Sequence, residues 1–60
     1  TESMEIMGAL QKLPEKFRVV IMLHYFEGIP VAETAKMLSI SASAVKMRLS
    51  RGRQMLKELL

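Results

Sequence analysis

The sequence contains no cysteine, no aspartate and no asparagine, and each absence removes a class of molecule. Without cysteine there is no disulfide to staple a small domain and no thiolate to hold a structural metal. Without aspartate and asparagine all six acidic residues are glutamate, and two of the commonest turn-forming residues are missing. The balance tilts toward helices and away from turn-rich sheets. No apolar run approaches the roughly 20 residues of a membrane-spanning helix, and no signal-peptide pattern opens the chain. A cytoplasmic protein with no membrane partner is expected. The single histidine, His24, has no cysteine, aspartate or second histidine with which to share a metal, so a structural or surface role is expected of it. Glu27 and Glu33 lack a partner base or pocket, and two such carboxylates do not make an acid and base pair. Neither enzymatic activity nor a cofactor is expected.

What is present points to one small helical domain. Half of the 60 residues are apolar and six are methionine. A chain of this length buries only about 60% of the surface exposed by its unfolded form, so the core is adequate but leaves no interior for a bound cofactor. The net charge of +3 is unevenly spread. Residues 1–40 carry −1, whereas residues 41–60 carry +4 from Lys46, Arg48, Arg51, Arg53 and Lys57 against Glu58 alone. A basic second half on a near-neutral domain is the electrostatic footprint of a polyanion binder. The same charges could equally line a solvated helix face.

Periodicity and punctuation predict four helices. The first runs from Glu2 or Ser3 to about Lys12, with Ser3 as N-cap and Met4, Met7, Leu10 and Ile6 on its apolar face. Leu13 ends it, because a residue before proline avoids the helical region. Pro14 suits the first turn of the second helix, which reaches Phe26 or Glu27 with Phe17, Val20, Ile21 and His24 on one side. The apolar run 19–23 suggests burial nearly all round. Gly28 is suited to end this helix, Pro30 restarts the chain as a short helix to about Leu38, and a turn at residues 39–41 leads into a last helix from about Ala42 to Leu59, capped by Ser41. Leu59 and Leu60 fit either completion of the core or partner docking, and Lys16 with Arg18 could form an interaction face.

The stretch VAETAKMLSISASAVKMRLSRGR, residues 31–53, has the layout of a helix-turn-helix. Ala35 is small enough for two helix backbones to approach, and Leu38, Ile40, Val45 and Leu49 fill the wedge between them. On a projection of about 100° per residue with Val45 at zero, Leu49, Gly52 and Leu56 fall within about 40°. These four form the predicted buried seam. Lys46, Ser50, Arg53 and Lys57 lie to one side, Ser43, Met47 and Gln54 lie opposite, and Arg51 lies on the other flank. Gly52 on the seam costs roughly 1 kcal/mol relative to alanine, which either reflects close approach of a neighbouring helix or has no packing cause. In a major groove, Lys46, Met47, Ser50 and Arg51 would face base edges, with Lys46 and Arg51 suited to guanine acceptors and Met47 to a thymine methyl. Ser41, Ser43, Arg48, Arg53 and Lys57 would face the backbone, although Arg48, near the seam edge, could instead pair with a glutamate.

The segments LPEKFRVVIMLHYFEGIP (residues 13–30), AETAKMLSIS (32–41) and AVKMRLSRGR (44–53) together resemble region 4 of bacterial RNA polymerase sigma factors, the extracytoplasmic-function type in particular. The resemblance implies an all-α fold with one helix-turn-helix domain over residues 1–60, the helix-turn-helix itself spanning about 31–58. It also implies recognition of the promoter −35 element in duplex DNA by the last helix. Lys46 and Arg51 match base-contacting positions of that family. The further partners implied are core RNA polymerase, through the flap of its β subunit, and an anti-sigma protein. The chain is then expected to be a fragment of a longer one. Three residues depart from the family pattern. Pro30 replaces a frequent Ser or Thr N-cap, Ser39 replaces a common Gly, Asp or Asn in the turn, and Ser41 replaces a frequent Pro. If Ser39 takes a positive φ, it costs roughly 1 kcal/mol. Two other readings fit the residues alone: the helix-turn-helix output domain of a response regulator, and a helical domain binding an acidic protein.

Overall fold

The computed structural model describes residues 2–60, with side chains from Met4 onward; Ser3, expected as the N-cap, falls within the first helix and its side chain lies outside what is described. Four helical segments follow in order: α1 (Glu2–Lys12), α2 (Glu15–Ile21) continued by a π-helical turn (Met22–Phe26), α3 (Val31–Leu38) and α4 (Ala42–Leu59). No strand occurs among the described residues, and no helix is long and apolar enough to cross a membrane.

Proline sets both early boundaries. α1 stops at Lys12, where Leu13 N–H bonds the Leu10 carbonyl at 3.1 Å. The Arg18 guanidinium reaches back to the carbonyls of Gln11 and Leu13 at 3.5 and 3.4 Å, supplying donors to a helix end that lacks its own. Arg18 thus joins α1 to α2 instead of standing free as part of an interaction face, while the Lys16 ammonium lies 5.1 Å from the centre of the Phe17 ring. Pro14 sits one residue earlier than expected. Its φ of −55° would suit a helix, but its ψ of 146° is extended, and its carbonyl accepts from Phe17 N and Arg18 N at 3.0 and 3.1 Å. Pro30 repeats the arrangement before α3, at φ −59° and ψ 152°, with Thr34 N–H on its carbonyl at 2.9 Å.

The core forms where α1, α2 and α3 meet α4. Leu10, Leu13, Val20, Ile21, Ala35, Val45 and Leu49 are buried together, and Leu38, Ile40, Met55 and Leu56 pack against them from the margin. The predicted grouping of Leu38, Ile40, Val45 and Leu49 therefore holds. The face of α1 is rotated from the expected one: Ile6, Ala9 and Leu10 pack inward, whereas Met4 and Met7 are exposed. Its main neighbour is α4, and a single neighbouring helix covers only one stripe of a short helix. Val19, Met22 and Leu23 are half-buried and not enclosed all round. Leu59 and Leu60 stay exposed at the end of α4 and do not complete the core.

Candidate nucleic-acid interface

The turn between α3 and α4 fixes the angle at which α4 leaves the core. Ser39 takes the left-handed conformation at φ 57°, ψ 43°. The chain there closes as a Schellman motif, with Ile40 N–H on the Ala35 carbonyl at 3.0 Å and Ser39 N–H on the Lys36 carbonyl at 3.3 Å, which satisfies carbonyls at the end of α3. A serine in this region costs roughly 1 kcal/mol. Gly28, at φ 70°, makes the earlier turn without that cost. Ser41 then caps α4, its hydroxyl accepting from Ala44 N–H at 3.0 Å. A side-chain N-cap of this kind contributes about 1 kcal/mol.

α4 is divided lengthwise. Val45, Leu49 and Gly52 are buried, and Leu56 is half-buried below them. Gly52 is a point of close approach, since a Cβ built there would lie 2.7 Å from Ile21 Cδ1 and 3.5 Å from Phe17 Cβ. That distance decides between the two readings of this glycine in favour of packing. The opposite side is open: Ser41, Ser43, Lys46, Met47, Ser50, Arg51, Arg53 and Lys57 are all exposed. Lys46, Ser50, Arg53 and Lys57 recur at three- and four-residue spacing and make one stripe along about 16 Å of helix. Arg48 is set apart. It is half-buried and lines a shallow cleft with Glu15, Lys16, Val19 and Leu38, away from the stripe.

The segment leading into the helix-turn-helix is also pinned. The His24 ring nitrogen Nδ1 donates to the Ile29 carbonyl at 2.9 Å, which gives this histidine a structural role. The Thr34 hydroxyl reaches the same carbonyl at 3.5 Å. The π-helical turn, with Glu27 N–H on the Met22 carbonyl at 3.0 Å, ends with Tyr25 and Phe26 exposed. Tyr25 packs edge-on against His24, ring centres 5.0 Å apart, and its hydroxyl accepts a hydrogen bond from the Arg53 guanidinium. Tyr25 stood on no predicted site. Apolar spacing over a single turn fits π and α windings alike, so nothing in the periodicity directs this ring toward α4.

Residues 3–56, most of the chain, match the model of the family described as Sigma-70, region 4. The chain belongs to that family. As a Sigma-70 region 4 domain it is 37% identical over 62 residues to the ECF RNA polymerase sigma factor SigW of Bacillus subtilis, covering 97% of this chain and 33% of that protein. It is 42% identical over 55 residues to the RNA polymerase sigma factor SigZ of the same organism, covering 92% of this chain and 31% of the relative. Against the ECF RNA polymerase sigma factor SigE of Mycolicibacterium smegmatis it is 34% identical over 56 residues, 93% of this chain and 22% of the relative. The chain thus spans a third or less of the length of these relatives. No solved structure matches it. Membership in the region 4 family supports a sigma-factor DNA-binding role for this helix-turn-helix. Two of the departures noted in the sequence keep their places in a region 4 fold: Ser41 supplies the cap from its own side chain, and Ser39 accepts the left-handed turn.

Proposed function

We propose that this chain is the part of a sigma factor that binds the promoter −35 element as duplex DNA, with α4 laid in the major groove. Its main support is the lengthwise division of α4: a seam of Val45, Leu49 and Gly52 is buried, and the basic arc is left open. A helix about 10 Å across fits that groove, and membership in the region 4 family supports the same assignment. Lys46 and Arg51 read guanine edges, Met47 touches a thymine methyl, and Ser50 contacts the groove floor between them. Arg53 and Lys57 bind phosphates further along. The start of α4 around Ser41 and Ser43 offers backbone N–H groups to another. Arg48, half-buried in a cleft that Glu15 also lines, stands apart from this set and meets a phosphate only at the margin of the interface. The chain works as one domain of a longer sigma factor in the cytoplasm. Core RNA polymerase engages it through the β flap, and an anti-sigma protein covers it when transcription is held off.

The test is selection of bound duplexes from a pool randomised over one helical turn, using the 60-residue chain. Enrichment of one short motif, bound more weakly as salt rises, is the expected result. A pool that emerges unenriched, or affinity indifferent to salt, overturns the proposal and favours an acidic protein as the partner.

A further inference from the structure

We propose that Tyr25 and Arg53 together form a phosphate-binding pair at the edge of the reading helix. The inference rests on the DNA-binding function proposed above and extends the interface to a residue outside the helix-turn-helix. Three observations converge on it. The Arg53 guanidinium donates to the Tyr25 hydroxyl, so the tyrosine oxygen is used as an acceptor while its own O–H proton remains to be given elsewhere. Both side chains are exposed, Tyr25 at 49%, so that proton and the remaining guanidinium N–H groups open to solvent beside each other. The ring is also held from behind: His24 meets it edge-on at 71° and is itself fixed by the Ile29 carbonyl.

Such a pair suits one ligand chemistry, a singly bonded anionic oxygen. The guanidinium supplies charge and the phenol a neutral donor, the combination common where proteins grip DNA phosphates. A free arginine side chain loses rotamer entropy on binding. Arg53 arrives with part of that ordering already made by its contact to Tyr25. The π-helical turn accounts for the placement. Its wider winding, a form found often at functional sites, carries the chain from buried Ile21 to exposed Tyr25 at a position that faces α4 twenty-eight residues on.

The experiment is a double-mutant cycle on the selected duplex, using Tyr25→Phe, Arg53→Ala and both. It is combined with duplexes in which single phosphates are replaced by uncharged methylphosphonates. Removing the hydroxyl alone is expected to weaken binding about three- to tenfold, alike on every sequence, with the melting temperature unchanged. That loss should shrink when Arg53 is already alanine, and vanish when one particular phosphate is neutralised. Tyr25→Phe binding as tightly as the parent chain overturns the pair and leaves the DNA-binding proposal standing. So does a loss that persists undiminished in the Arg53→Ala background and with every phosphate replaced. Failure of the parent chain to select any motif overturns both.

Discussion

At the scale of single residues, side chains on one arc of one helix should behave in two different ways. Lys46 and Arg51 lie near the start and middle of the exposed arc, where a helix in the major groove comes closest to base edges. Lys46→Ala or Arg51→Ala is expected to cost roughly 1 to 3 kcal/mol on the preferred duplex and to flatten preference among variants. Lys57→Ala should weaken all duplexes alike and lower the salt slope by about 1. Binding of each variant to a small panel at two salt concentrations distinguishes the cases. An even loss across the panel for Lys46 and Arg51 would make them clamps. Ser39 affords a test of stability alone. Its φ of 57° is strained for serine and free for glycine. Ser39→Gly relieves about 1 kcal/mol but loosens the unfolded chain by somewhat less. A small net rise in melting temperature, with unaltered DNA affinity, is expected from calorimetry or circular dichroism.

At the scale of elements, α4 has two jobs and its seam can be tested apart from its arc. Leu49 is 4% exposed within the core, and Leu49→Ala is expected to cost roughly 2 to 5 kcal/mol in denaturant unfolding, enough to unfold much of so small a domain. Gly52 gives a sharper test, because its would-be methyl crowds one atom above all, Ile21 Cδ1 at 2.7 Å. Gly52→Ala gains helix propensity but crowds Ile21, which is 2% exposed and must turn its terminal methyl aside within a packed core. We expect a net loss of about 1 kcal/mol. Ile21→Val removes Cδ1, so the double variant should be more stable than the sum of the single losses predicts. Additive losses would mean that helix separation at this point is set elsewhere. Much of this architecture was legible in the sequence because punctuation and period agree. Pro14, Gly28 and Pro30 mark the boundaries, and the spacing of Val45, Leu49 and Gly52 marks the seam. The face of α1 was misread, since Met4 and Met7 share a helical spacing with Leu10 and only tertiary contact decides which stripe is covered. The π-helical turn left no trace in the pattern, and Tyr25 was missed with it.

At the scale of the molecule, charge and shape act together. α4 is about 27 Å long and packs against α1, α2 and α3, so the element that carries most of the cations is also the spine on which the other helices pack. Four or so phosphate contacts give an expected slope of about −4 in log affinity against log salt, measured by duplex titration, and absolute affinity should be weak for so small a module. A slope near zero would assign the basic arc to a protein partner. The π-helical turn has one more consequence at this scale. A π winding holds more chain per turn than an α winding, so residues 22–26 are a place where the domain carries surplus length. Losing one residue there would let the segment close as ordinary α-helix, with better hydrogen-bond geometry, while the Tyr25 ring swings away from Arg53. Selection for a sturdier domain and selection for a tighter grip would thus pull the length of this one turn in opposite directions.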